Sequence, residues 1–125
     1  MYDGLHVDVT EAIIGCAIEV HKQLGPGLLE SVYETALCIE LTDQKLPVRR
    51  QIGVPLYYKQ QLISEHRPDL VVADVVIVEI KNVLRLEPIH VAQMLTYLKV
   101  TGLRIGLILN FNTAAMKQGV RRVAL

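Results

Sequence analysis

One stretch of otherwise apolar sequence ends in two ionisable residues at alternate positions. Glu79 and Lys81 stand on either side of Ile80, where the apolar run that begins at Val75 ends. In a β-strand, residues i and i+2 point to the same face, so Glu79 and Lys81 project together. An ionisable pair inside a buried strand is costly unless another group pairs with it. The pattern therefore predicts a polar site built into a buried strand.

A third ionisable residue, Asp69, follows Pro68 late in the preceding predicted strand. If the two strands form a hairpin whose loop has an odd number of residues, such as 73–75, Asp69 lies opposite Glu79 on the same face. A two-residue loop would place Asp69 opposite Val78 instead, and the site would not assemble. The chemistry of this site therefore depends on the register of the hairpin.

The chemistry that these three side chains indicate is metal-dependent. Two facing carboxylates repel each other and need a cation between them. Oxygen ligands of this kind suit Mg²⁺ or Mn²⁺ better than Zn²⁺. A lysine beside such a cation can orient an attacking water or stabilise charge on a phosphate. Glu79 and Lys81 alone would more often be a surface ion pair, so the prediction rests on their combination with Asp69.

Three helices are predicted around this site. Helical periodicity of apolar residues indicates a helix over residues 9–24 and a second over about 28–45. Gly25, Pro26 and Gly27 separate the two, and Pro47 ends the second. Glu87 and Pro88 open a third helix that ends near Gly102. The buried stripe of the second helix is predicted to contain Leu29, Val32, Tyr33, Ala36, Leu37 and Leu41.

The strands follow a period of two. Alternation predicts a half-buried strand over residues 52–58, a turn at 59–61 and a second strand over 62–72. Residues 75–80 and 103–111 are apolar on both faces, which is typical of strands covered on both sides. Residues 119–125 allow a short edge strand. The order is α-α-β-β-β-α-β with this last strand added, which predicts one α/β domain over residues 1–125 with its core at about 9–124.

The motif formed by Pro68, Asp69, Glu79 and Lys81 resembles that of the PD-(D/E)XK nuclease superfamily. Within it, the chain is similar to the GxxExxY protein family, from about Val9 onward. The residues that carry this narrower resemblance are Gly27, Glu30 and Tyr33, then Tyr57-Tyr58-Lys59, His90 with Gln93, Tyr97 with Lys99, and Thr101-Gly102-Leu103. The resemblance implies a restriction-endonuclease-like core, a central mixed β-sheet flanked by helices, and a Mg²⁺-dependent nuclease.

The resemblance also implies roles for individual residues. Asp69 and Glu79 would hold Mg²⁺ or Mn²⁺ with the backbone carbonyl of Ile80, and Lys81 would position the water. Glu30 is either a further ligand or a first-turn glutamate that complements the helix dipole.

Three residues of the third predicted helix are also site candidates. Gln93 and Tyr97 are similar to the glutamine–tyrosine motif of RecB-type nucleases, which would place them in support of the site; the alternative is a position at the edge of the core. His90 shares their helix face and is a secondary candidate. Its alternative is an ordinary first-turn histidine. Glu34, one turn after Glu30, is expected in solvent.

Composition limits the classes of function. The chain has 51% hydrophobic residues and a mean hydropathy of +0.33, which indicates a folded core and hints at self-association into a homo-oligomer. Its 13 basic and 13 acidic residues balance, whereas tight nucleic-acid binders usually carry a basic excess. Nucleic acid, with DNA favoured, stays the expected partner. The rivals are a nuclease-fold binding or regulatory module with weak or no cleavage, and a small-molecule phosphodiesterase with a closed pocket.

The remaining expectations concern the cellular compartment. The N-terminal residues lack a basic segment followed by an apolar one, and no apolar run is long enough for a membrane span. Cys16 and Cys38 fall within helical patterns and are expected to be reduced core residues. Together these features predict a cytoplasmic protein without membrane attachment.

Overall fold

Three α-helices form within residues 4–125, the part of the chain that the computed structural model describes. They are α1 (Val7–Leu24), α2 (Glu30–Asp43) and α3 (Pro88–Thr101). Gly25 follows α1 with a φ of 71°, a conformation that glycine adopts without steric cost. Helix α3 begins with Pro88 at its first turn, and Glu87 and His90 form a reciprocal capping box. These local signals fix the ends of the helices.

The strands form two separate sheets. In chain order they are β1 (Val48–Arg50), β2 (Val54–Tyr58), β3 (Gln61–His66), β4 (Leu70–Val72), β5 (Val76–Lys81), β6 (Ile105–Asn110) and β7 (Val120–Ala124). In the described part of the chain, the larger sheet has five strands in the order β1-β4-β5-β6-β7, and β2 and β3 pair only with each other. Strands β5 and β6 are parallel and the other neighbours are antiparallel. The crossover between β5 and β6 is α3.

The two faces of the larger sheet bury different helices. Val76, Val78 and Ile80 of β5 pack in the cluster that contains residues of α1 and α2. Val71 and Ile77 pack in the second cluster, with Met94, Tyr97 and Leu98 of α3. Side chains alternate between faces along a strand, so the odd-numbered positions of β4 and β5 face α3. Asp69, Glu79 and Lys81 belong to this odd-numbered set.

The mixed α/β class and the flanked central sheet are confirmed. The predicted edge strand is also confirmed as β7, which pairs with β6. Both cysteines are free thiols, Cys16 buried and Cys38 half-buried. None of the helices within residues 4–125 combines the length and apolar content that a membrane-spanning helix requires.

The strand count between α2 and α3 differs from the prediction. Residues 62–72 were expected to form one strand, which is wrong: they form β3 and β4, separated by Arg67, Pro68 and Asp69. Pro68 has no N–H to donate to a ladder and interrupts the strand. The segment before it turns back onto β2, and the segment after it enters the larger sheet. The short charged strand β1 was not predicted, because two of its three residues are arginines.

The buried face of α2 is also turned relative to the predicted stripe. Leu29 and Val32, expected inside, are 73% and 40% exposed. The buried residues are Tyr33, Glu34, Leu37 and Leu41. The physical reason is that Glu34 is drawn inward by polar partners at the end of β1.

Candidate active site

The hairpin between β4 and β5 has the register that the site requires. Leu70 pairs with Val78, and Val72 pairs with Val76, so residues 73–75 form an odd-numbered loop. Within that loop Ala73 and Asp74 have φ values of 54° and 58°, and the N–H of Val75 donates to the carbonyl of Val72. One step beyond the last paired residues, Asp69 therefore lies opposite Glu79.

Asp69 and Glu79 join the two strands through reciprocal hydrogen bonds. The backbone N–H of Asp69 donates to Oε1 of Glu79 at 2.9 Å. The backbone N–H of Ile80 donates to Oδ2 of Asp69 at 2.8 Å. Each carboxyl group thus has one oxygen fixed by the opposite strand, and the two carboxyl groups also contact each other. The arrangement brings two acids together at the end of the hairpin.

Glu79 is the more buried of the two acids, with a relative exposure of 8%. Burial, followed by the facing Asp69 carboxylate, raises the pKa of Glu79 to about 8. The Lys81 ammonium and the N–H of Asp69 favour the charged form and oppose this rise. The site brings two acids together and sets Lys81 close enough to act on Glu79.

Tyr97 of α3 covers the same pair of acids. It is 3% exposed. Burial, followed by the Glu79 and Asp69 carboxylates, raises the pKa of Tyr97 to about 12, so its hydroxyl stays protonated at neutral pH. The ring of His66 lies 6.1 Å from that of Tyr97, centroid to centroid. His66 was not singled out from the sequence, because only the fold brings β3 next to α3.

Gln93 and His90 lie earlier on α3. Gln93 is half-buried one turn before Tyr97, on the same helix face. His90 accepts the N–H of Glu87 at 2.9 Å through Nδ1 and caps its own helix. The first-turn alternative for His90 therefore accounts for its position.

Glu34 is the acid that the sequence prediction misplaced. It is 7% exposed rather than in solvent. Nε of Arg50 donates to its Oε2 at 3.1 Å, and Nε2 of Gln51 lies 3.2 Å from each of its carboxylate oxygens. The same Gln51 nitrogen donates to Oδ1 of Asp69 at 3.4 Å. A usable signal was present, since Glu34 precedes the buried Leu37 by three residues and so shares its helix face.

Glu30, the predicted further ligand, lies apart from this network. It is exposed at the start of α2, and its Oε2 accepts the backbone N–H of Asn82 at 3.0 Å. The side chain of Asn82 in turn donates to the carbonyl of Leu28 at 2.9 Å. Glu30 thus fastens the start of α2 to the chain just after Lys81. Within residues 4–125, no group of three or more His, Cys, Asp or Glu side chains is placed to hold a metal ion.

The carboxylate oxygens at this site still suit a hard cation. Asp69 and Glu79 each have a second carboxylate oxygen beyond the one that accepts a backbone N–H. Carboxylate oxygens with an otherwise open coordination sphere are the ligands that Mg²⁺ takes in proteins, usually one or two carboxylates with water. The residues therefore fit Mg²⁺ or Mn²⁺ as a two-carboxylate site.

A central mixed sheet with helices on both faces, and an aspartate–glutamate–lysine constellation at the end of its β-hairpin, define the class of restriction-endonuclease-like proteins. The sequence model of the PD-(D/E)XK nuclease superfamily matches residues 7–123, and the chain belongs to this superfamily. Comparison with curated proteins and with solved structures finds no significant match.

Proposed function

We propose that this protein is a Mg²⁺-dependent nuclease that hydrolyses phosphodiester bonds in nucleic acid, with DNA as the favoured substrate. The observation that carries the proposal is the Asp69–Glu79 carboxyl pair, which the two strands close by reciprocal hydrogen bonds beside Lys81. Membership in the nuclease superfamily supports the same reaction class. The narrower resemblance to the GxxExxY family stays a prediction.

In this proposal, Asp69 and Glu79 hold the cation together with the backbone carbonyl of Ile80. When bound, the cation supplies positive charge at the scissile phosphate. The Lys81 ammonium orients the attacking water and stabilises the charge that develops on the phosphate oxygens. Tyr97, whose hydroxyl feels the charge of both acids, supports the carboxyl pair, and Gln93 supports Lys81 or the phosphate.

The experiment compares the wild type with Lys81→Ala for Mn²⁺- and Mg²⁺-dependent cleavage of single-stranded DNA, duplex DNA and RNA. We expect Lys81→Ala to keep the fold and bind Mn²⁺, while cleavage falls by about 10²-fold or more, as for other removed electrostatic contacts. Lys81→Arg should restore little, because a planar guanidinium does not reproduce a compact ammonium. Lys99→Ala, at an exposed lysine late in α3, is the matched control.

Equal cleavage by wild type and Lys81→Ala would contradict the proposed role of Lys81. No cleavage by the wild type, together with a destabilised Lys81→Ala, would favour a function other than catalysis. In that case Lys81 only favours the charged form of Glu79, so its removal destabilises the protein at pH values above the Glu79 pKa of about 8, where it leaves a buried carboxylate unpaired.

A second function, an interaction module with the nuclease fold, is supported by the β2–β3 hairpin. Tyr57, Tyr58, Leu62 and Ile63 of this hairpin are each between 61% and 63% exposed. Exposed apolar side chains gathered on one element often mark a contact surface for another protein or a second copy of the chain. Size-exclusion chromatography with light scattering, repeated on Leu62→Lys, tests self-association through this hairpin.

A further inference from the structure

Gln51 has an unusual backbone conformation directly beside the site. It follows the last residue of β1 with a φ of 54°, in the left-handed region that residues other than glycine seldom adopt. Such strain persists only where surrounding contacts impose it, and it is often found at functional sites. The other described residues with positive φ that are not glycine lie at helix ends or in hairpin loops, where the chain must turn tightly: His6, Lys45, Lys59, Gln60, Ala73 and Asp74.

Contacts hold both the backbone and the side chain of Gln51. Its N–H donates to the carbonyl of Asp69 at 3.0 Å, and its carbonyl accepts Nη1 of Arg67 at 3.0 Å. Its side-chain nitrogen bonds to both oxygens of Glu34 at 3.2 Å and to Oδ1 of Asp69 at 3.4 Å. One residue therefore holds Asp69 at its main chain and at its carboxylate.

The geometry joins two layers of the fold. Asp69 belongs to the sheet face covered by α3, whereas Glu34 comes from α2, which packs on the opposite face. Gln51 directly follows the edge strand β1, and its side chain bonds to Glu34 and to Asp69. In this left-handed conformation both its N–H and its side-chain nitrogen reach Asp69.

The chemistry of the amide suits this position. A carboxamide nitrogen donates two hydrogen bonds and carries no charge. It can therefore bond to Glu34, which Arg50 neutralises, and to Asp69 without competing with a cation for the charge of Asp69. A glutamate at the same place would add a negative charge beside Asp69, and a lysine would neutralise Asp69 directly.

We propose that Gln51 is a positioning residue that ties the Asp69 carboxylate to Glu34 and so holds Asp69 in the orientation that a divalent cation requires. The inference rests on the proposed metal site and deepens it. Gln51 lies outside the Asp69–Glu79–Lys81 constellation, and its strained backbone would serve to orient one cation ligand, Asp69. Gln51 itself touches neither the cation nor the substrate.

The test measures Mn²⁺ affinity by calorimetry for the wild type, Gln51→Ala and Gln51→Gly. We expect both variants to bind Mn²⁺ about 10- to 100-fold more weakly, the usual effect of removing a group that orients a metal ligand. Gln51→Gly removes the same contacts but relieves the left-handed strain, so it also serves if Gln51→Ala folds poorly. Gln60→Ala and Gln60→Gly are matched controls, since Gln60 is an exposed glutamine with a φ of 68° at the tip of the β2–β3 hairpin.

A second readout needs no metal. Oδ2 of Asp69 accepts the N–H of Ile80, so loss of positioning should speed hydrogen exchange at the Ile80 amide in Gln51→Gly and leave it unchanged in Gln60→Gly. If Gln51 had only a structural role, its replacement would lower global stability and leave the Mn²⁺ affinity of the folded protein as in the wild type.

The outcomes separate this inference from the proposed function. Wild-type Mn²⁺ affinity in Gln51→Gly would overturn the inference while the metal site stands. If the wild type binds no Mn²⁺, the proposed function fails. Hydrogen exchange at the Ile80 amide then tests whether Gln51 positions Asp69. Faster exchange there would support Gln51 as the residue that positions Asp69, and unchanged exchange would overturn it.

Discussion

Replacing Glu79 by glutamine should change how the stability of the metal-free protein depends on pH. Glu79 is buried against Asp69, and its pKa rises from an ordinary value of 4.5 to about 8. The folded state therefore holds a proton that the unfolded state has released between these two pH values. Stability falls with rising pH wherever the folded state binds more protons than the unfolded state. The wild type should lose stability as pH rises from about 4.5 to about 8 and then level off.

The size of the effect follows from the same pKa. Each tenfold change in the acid dissociation constant corresponds to about 1.36 kcal/mol, so the rise to about 8 is equivalent to roughly 4–5 kcal/mol. This is an upper value, because local relaxation and water entry reduce the cost of the buried charge. Small domains are stable by only about 5–15 kcal/mol, so a loss of this size is a large share of the total. The melting temperature should therefore fall by an amount on the order of 10 °C as the pH rises through this range.

Thermal and urea unfolding of chelator-treated protein at about pH 5, near the lower end of this window, and at about pH 9, above it, measures the effect. Glu79→Gln should have a smaller difference between the two conditions, since its amide does not ionise. Glu11→Gln, at an exposed position of α1, should behave as the wild type. Added Mn²⁺ should restore stability at the higher pH by mass action. If the wild type and Glu79→Gln lose the same stability, ionisation of the buried Glu79 carboxyl is not the cause of the loss.

The remaining predictions concern the frame of the site, and urea unfolding measures each. The added methyl group of Gly106→Ala would overlap Met94 on α3 and should lower the free energy of unfolding by about 1–3 kcal/mol. The loss should be smaller when Gly106→Ala is combined with Met94→Val, because the two side chains share one space. Gly119→Ala would meet the backbone carbonyl of Asn110, which cannot rotate away, so it should cost more than Gly106→Ala; a smaller cost would contradict this packing. Ala73→Gly should stabilise by about 0.5 kcal/mol, since relief of about 1–2 kcal/mol of left-handed strain exceeds the added chain entropy of about 0.4–1 kcal/mol.

The placement of Asp69 and Glu79 on one face of the sheet could be predicted from the sequence because it depends on parity alone. Any odd loop after Val72 puts both residues on one face, whatever happens earlier in the chain. The prediction therefore survived the wrong assignment of residues 62–72 to one strand. Helix α3 was equally accessible, because Pro88 and Gly102 mark its two ends.

The contacts of Glu34 could not be predicted in the same way. Its partners Arg50 and Gln51 lie 16 and 17 residues further along the chain, and no local period links them. Strand β1 has only three residues, too few for an alternation to be recognised. Helical periodicity does place Glu34 on the face of Leu37, but glutamates are usually exposed, and the arginine that neutralises this one is 16 residues away in the chain.

The carboxyl pair serves the fold as well as the proposed chemistry. At the end of the β4–β5 hairpin, the N–H groups of Asp69 and Ile80 are satisfied by carboxylate oxygens instead of carbonyls. An alanine at position 69 or 79 would leave a backbone N–H without its partner, at a cost of about 1–3 kcal/mol, so loss of activity would be mixed with loss of structure. Asparagine and glutamine keep an acceptor oxygen and remove the charge. Only these amide substitutions separate the role of Asp69 and Glu79 in closing the hairpin from their role in attracting a cation.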